Sequence, residues 1–108
     1  MAREADMIVT VFRSRVRKDL SPEALAHLEE RGARMVELAT SMPGFISYKD
    51  FAAADGESLT LVEFDNLEHQ EAWRDHPEHR ELQVWSREFA FESYQIQVCE
   101  PIRVRKFG

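Results

Sequence analysis

"FISYKDFAAADGESLTLVEFD", residues 45 to 65, decides how this chain folds. Two runs rich in apolar and β-branched residues, FISYKDFA and SLTLVEFD, flank the turn AADGES, and that spacing predicts an antiparallel hairpin. Upstream, MPGF at 42 to 45 stops a helix with proline and glycine. That helix starts at Ser21-Pro22-Glu23, a cap residue, a first-turn proline and an acid suited to the helix dipole. Leu25, Leu28, Gly32, Met35, Ala39 and Met42 then recur at spacings of three and four, giving one apolar face. Gly32 weakens such a helix by about 1 kcal/mol relative to alanine, and a close approach to the sheet is the expected reason for it. Further upstream, MIVTVFR at 7 to 13 reads as the first strand. Downstream, LEHQEAWRD reads as a helix that Pro77 interrupts or re-nucleates, PEHRELQVWSREF continues it, and FESYQIQVCEPI is the last strand. The order β-α-β-β-α-β predicts an α+β, ferredoxin-like fold, a four-stranded antiparallel sheet with two helices on one face.

At 108 residues the chain is read as a single domain, 1–108, with its core at about 7–103. The formal charge of −6 argues against nucleic acid or an anionic membrane as a partner. Arg13, Arg15, Arg17 and Lys18 form a basic cluster, read as a solvated loop, and Arg103, Arg105 and Lys106 form a second one. Residues 50 to 82 hold ten acids against Arg74 and Arg80, so no basic stripe is continuous. The lone Cys99 excludes an internal disulfide and a cysteine-based zinc cluster, and is read as a small buried hydrophobe. No signal peptide or membrane-length apolar run is present in the sequence, so a cytoplasmic protein is expected.

The strands are apolar on both sides. Met7, Val9 and Val11 oppose Ile8 and Phe12, while Leu59 and Leu61 oppose Val62 and Phe64. Two helices cover only one face, and an open face is ordinarily polar. A homodimer through the open sheet face follows as the economical expectation. Other uses of this chain order lack their residues: the first and third strands carry no RNA-binding pattern, and RSRVRK stands where a metallochaperone has paired cysteines. Phosphate-loop, nucleophile-elbow and His-Glu-x-x-His motifs do not occur.

Chemistry-bearing side chains are densest in WRDHPEHREL, residues 73 to 82. A helical projection places Leu82, Trp85 and Phe89 on one stripe with His79 and Gln83 at its border. His76, before Pro77, or Asp75 is the expected cap of the renewed helix. With Trp73 from the preceding turn, these residues outline a pocket having an apolar wall and one or two imidazoles, into which Tyr48 and Tyr94 aim phenols. The alternative is structural: a kink at Pro77, tryptophans in the core and Tyr48 and Tyr94 at a dimer seam. Glu63, inside an apolar strand, is a surface residue by default or a partner for a histidine or Arg13. Two histidines three apart lack an identifiable third ligand, so no metal site is assigned.

MIVTVFR, MPGF, SLTLVEF, AWRDHPEH and YQIQVCEPIR together resemble the antibiotic biosynthesis monooxygenase family of the dimeric α+β barrel superfamily, across roughly residues 7 to 103. The resemblance implies a homodimer with sheets packed face to face, and a cofactor-independent oxygenase acting on a small aromatic, polyphenolic or quinol-type substrate. His79 or His76 is then the base, and Trp73, Tyr48, Tyr94, Gln83, Trp85 and Phe89 surround the substrate. A non-catalytic module binding a small hydrophobic ligand is the alternative, as is a haem-binding module. Haem-degrading relatives use an asparagine in the first strand, which MIVTVFR lacks.

Overall fold

The computed structural model describes residues 7–108. Its elements run β1 (Ile8–Val16), α1 (Pro22–Ser41), β2 (Phe45–Ala52), β3 (Ser58–Phe64), α2 (Leu67–Arg74), α3 (Pro77–Phe89) and β4 (Phe91–Cys99). The sheet is antiparallel with strand order β2-β3-β1-β4, the ferredoxin-like arrangement. The helix expected after the hairpin is two segments, α2 and α3, meeting at Asp75 and His76.

Local chemistry accounts for the boundaries. Ser21 caps α1 by accepting from the Ala24 N–H at 3.1 Å, and Asn66 caps α2 by accepting from the His69 N–H at 2.8 Å. Gly44 ends the connection after α1 at φ +80°, and its carbonyl accepts from the Asp65 N–H at 2.8 Å. The positive φ favours glycine, and a Cβ there would also displace the Asp65 carboxylate, which would lie 2.1 Å away. Gly32 has a different basis. A Cβ built on it meets nothing within 4 Å, which removes the expected close approach to the sheet.

The core lies between α1 and the β2-β3 half of the sheet. Met35, Leu38 and Ala39 of α1 meet Val62 and Phe64 of β3 and Trp73 of α2. Phe64 is fully buried, with its ring 6.0 Å from Phe45 and 5.7 Å from Trp73. Arg34 of α1 forks onto the Glu78 carboxylate with two 2.8 Å bonds, and Arg31 adds a contact at 3.6 Å, tying α1 to the first turn of α3. The Arg34 hydrogen bonds, with the Arg34 and Arg31 charges, hold the Glu78 carboxyl down at about 2.

Strand alternation separates the two faces. Ile8, Thr10 and Ser14 point under the helices and are buried. Val9, Val11, Leu59, Leu61 and Phe51 share the opposite face, where no described helix packs; Val11 pairs with Leu61 and Phe51 with Leu59. Arg13, Lys49 and Glu63 lie among them. Two expectations change here. β1 continues past Arg13 to Val16, so Arg15 is a strand residue and not a loop residue; Arg13 and Arg15 bind Glu57 at 3.0 Å and Asp55 at 2.9 Å in the hairpin turn. Cys99 is exposed, because it closes the edge strand β4. Glu63 accepts from the Ser47 hydroxyl and is not bound to Arg13. No described helix is long and apolar enough to cross a membrane.

Phe64→Ala will lower unfolding stability by about 3–5 kcal/mol, read from urea transitions, because a fully buried ring leaves a cavity. A loss below about 1 kcal/mol would contradict Phe64 as the centre of the core.

Candidate functional site

Pro77 organises the region around WRDHPEHREL. In an unbroken helix the Trp73 carbonyl would accept from the N–H of residue 77, and proline has none. The backbone N–H of His76 reaches that carbonyl at 3.2 Å, and the His79 ring reaches it through Nδ1 at 3.1 Å. A carbonyl only accepts, so Nδ1 carries the proton and Nε2 holds the lone pair. His76 takes the cap of α3: its Nδ1 accepts from the Glu78 N–H at 3.2 Å. Gln83 adds a 3.4 Å bond from its amide to the Arg74 carbonyl, fastening α3 to the end of α2.

A cavity of about 300 Å³ lies between these helices and the sheet. Its floor is Thr10, Phe12, Tyr48, Thr60 and Val62; α1 contributes Leu28, Gly32 and Met35. Gln70, Trp73 and His79 form one wall, Leu82, Gln83 and Ser86 another. The mouth opens over the edge strand, where Tyr94, Ile96 and Val98 line the cavity yet remain 42–49% exposed. Arg74 and Arg87 also reach it; Arg74 is paired with Asp75 at 2.9 Å, whereas Arg87 makes no ion pair among the described residues.

His79 stacks on Trp73 with ring centroids 4.3 Å apart, and Trp73 meets Tyr48 edge-on at 6.4 Å. Burial pushes the His79 pKa below its ordinary 6.5; the bond to the Trp73 carbonyl opposes that shift and the His76 charge adds to it. His79 is therefore neutral at pH 7. Burial, with a contribution from Asp50, pushes the Tyr48 phenol up to about 12, keeping it a proton-bearing donor. Two further polar groups are orphaned in this wall. Gln70 is 2% exposed and gives its amide N–H to Thr10 Oγ1 at 3.3 Å, but its Oε1 has no partner; neither has Nε1 of the 5% exposed Trp73. An unmet buried donor or acceptor costs about 1–3 kcal/mol; both atoms are sealed inside the packing of the wall, while other atoms of Gln70 and Trp73 line the cavity.

The cavity gathers His79, Trp73, Tyr48, Tyr94 and Gln83 as expected. It leaves out His76, Trp85 and Phe89. The break at Pro77 restarts α3 with His79, Leu82, Gln83 and Ser86 turned inward, so the stripe drawn through Trp85 and Phe89 is rotated away. Trp85 packs edge-on against His27 at 4.6 Å, Phe89 is 53% exposed, and both border a shallow groove on the outer side of α3. Sequence reasoning missed Gln70 and Thr10. Their signal was a polar residue at an inward position: Gln70 stands three residues before Trp73, and Thr10 alternates with Ile8 and Phe12. No three His, Cys, Asp or Glu side chains among the described residues converge as a metal site.

Comparison with known proteins agrees with this architecture. The family model described as antibiotic biosynthesis monooxygenase matches residues 7–85. The uncharacterized protein YqjZ of Bacillus subtilis (strain 168) is 35% identical over 78 residues, covering 72% of this chain and 68% of that protein. Among solved structures, Rv0793 from Mycobacterium tuberculosis superposes with a TM-score of 0.75 at 18% identity, over 93% of this chain and 99% of that one. SnoaB, a cofactor-independent oxygenase from Streptomyces nogalater, does so with a TM-score of 0.72 at 16% identity, over 93% and 97%. At these identities the structural likenesses show the fold.

The His79 shift has a testable sign. The folded state disfavours imidazolium, so this contribution to stability is complete above the unfolded pKa of about 6.5 and is lost as pH falls through it toward the lower folded value. NMR titration of His79 will give a midpoint below 6.5, and the stability of the native chain relative to His79→Gln will rise as pH is raised from the folded midpoint to about 6.5 and level off above it. A midpoint above 6.5 would contradict the desolvated ring.

Proposed function

The chain belongs to the antibiotic biosynthesis monooxygenase family, and on that premise we propose that it oxidises a hydroxylated aromatic or quinol-type molecule with dioxygen in the cavity beneath α1 and α3, using neither metal nor organic cofactor. One observation carries this reading: a neutral imidazole, anchored through Nδ1 so that Nε2 is left as its acceptor, lines a largely apolar cavity together with Trp73, Tyr48 and Tyr94. Without a cofactor the substrate must supply the electrons. Removing its proton gives an electron-rich anion able to pass an electron to oxygen. One oxygen atom then enters the ring system and the other leaves as water.

The residues divide these tasks. His79 Nε2 takes the proton, and a base whose pKa lies below 6.5 remains competent through neutrality. The Tyr48 phenol donates to the oxygen on which negative charge develops, while the Gln70 and Trp73 side chains wall the substrate in. In an apolar cavity such bonds are stronger than in water. His76, occupied as a helix cap, holds the segment in place. The fold shared with SnoaB supports the oxygenase reading, since that protein is described as a cofactor-independent oxygenase.

The proposal includes a homodimer through the open sheet face. Val9, Val11, Leu59, Leu61 and Phe51 lie there with Arg13, Lys49 and Glu63 interspersed, and a second copy is the economical cover for these apolar side chains.

Metal-free protein assayed for oxygen uptake on hydroquinones, catechols and anthrones will turn over at least one of them. His79→Ala will reduce that rate by about 10²–10⁴-fold, whereas His76→Ala, which removes a helix cap and no proton acceptor, will reduce it by less than about tenfold. Absence of catalysed uptake across the panel would leave a ligand-binding module instead. In light scattering the native chain will have twice its 12.6 kDa mass and Val11→Arg will have the single-chain mass; a monomeric native chain would refute the dimer.

A further inference from the structure

Gly32 sits in the middle of the 20-residue helix α1, where nothing local requires glycine. Its φ is not positive, so the backbone there is open to any L residue. Close packing does not require it either, since a Cβ at this position meets no atom within 4 Å. Glycine inside a helix is nonetheless unfavourable. What the position does have is a place on the wall of the cavity, between Leu28 one turn before it and Met35 one turn after it. Both neighbours fill space and Gly32 leaves it open. Other positions on the wall are small as well: Ser86 on α3, and Thr10 and Thr60 on the sheet.

We propose that Gly32 is the specificity-determining residue of this cavity: its missing side chain makes the room that admits a fused, multi-ring aromatic, and a side chain there would restrict the cavity to a single ring. This rests on the aromatic-binding reading given above. A cavity of about 300 Å³ stands at the lower end of the range for small-molecule sites, about 300–1,000 Å³, so one added side chain removes a substantial part of it. Gln70, Trp73 and His79 on the adjoining wall bound the other end of the ligand. Gly32 then sets how far its ring system extends beyond them.

Two probes carry the same adjacent hydroxyl and carbonyl: ortho-hydroxyacetophenone, with one ring, and 1,8-dihydroxyanthraquinone, with three. Calorimetric titration will show both binding the native protein, the three-ring probe more tightly. In Gly32→Leu, with its fold checked by circular dichroism, three-ring binding will weaken by about tenfold or more while one-ring binding is unchanged. Gly32→Ala will raise the melting temperature and weaken three-ring binding in the same direction but less. Undiminished three-ring binding in Gly32→Leu, equal loss of both probes, or a lower melting temperature in Gly32→Ala would each overturn the size filter alone. Failure of the native protein to bind either probe would overturn the aromatic-site reading, and the filter with it.

Discussion

The missing N–H of Pro77 is the constraint on which the candidate site depends. A proline at that position deprives the Trp73 carbonyl of its helical donor, and the molecule answers by bringing the His79 side chain to the same oxygen. One bond therefore fixes the ring's orientation, its tautomer and its stacking on Trp73. The same break ends α2 and gives α3 a new starting angle, with His76 as its cap. A continuous helix would retain the carbonyl's partner and leave a histidine at 79 without this anchor. The Arg34–Glu78 fork works alongside the break, because it holds the first turn of α3 against α1 and so keeps a space between them and the sheet.

The sheet explains why that space opens where it does. The inward side chains of β2 and β3 nearest Phe64 are consumed by the core, while Tyr48, Thr60 and Val62 also reach the cavity floor. β4 lies at the far edge, and its inward residues Tyr94, Ile96 and Val98 face the cavity mouth with much of their surface uncovered. The opposite face carries Val11 paired with Leu61 across β1 and β3, flanked by Val9 opposite Glu63 and Leu59 opposite Arg13. Apolar side chains on both sides of a strand pair imply two separate uses, one for the core and cavity and one for a second surface.

The fold was legible because its signals are local and mutually consistent: the hairpin around Asp55-Gly56, the Ser21-Pro22 start and the Pro43-Gly44 stop each have a direct physical cause. Much of the site was legible for a related reason, since Trp73, His79 and Tyr48 are uncommon side chains at inward spacings. The errors arise where a projection runs through a break. The stripe through Leu82, Trp85 and Phe89 assumed a phase for α3 that only the geometry at Pro77 determines. Gln70 escaped notice because a glutamine in a helix reads as a solvent residue unless its neighbours reveal that its face is buried. Cys99 and the basic cluster were misjudged because strand ends and edge positions depend on pairing between distant segments, which periodicity does not encode.

Several features that disfavour stability converge on one volume. Gly32 weakens α1, His79 is desolvated, and Gln70 and Trp73 each bury an unsatisfied atom. Scattered through a core these would be isolated defects, each removable by a common substitution: alanine at 32, leucine or methionine at 70, phenylalanine at 73. Their convergence around one cavity has a different physical meaning. A ligand that fills the space beside Gly32 and lies along Trp73 excludes water from the same volume, and the anion left when its proton passes to His79 sits beside the imidazolium that burial alone would disfavour, so the two charges form together where the proton is removed. That is the arrangement expected of a site whose local instability serves recognition, and it is why the function is read from this wall of the cavity and not from the fold alone.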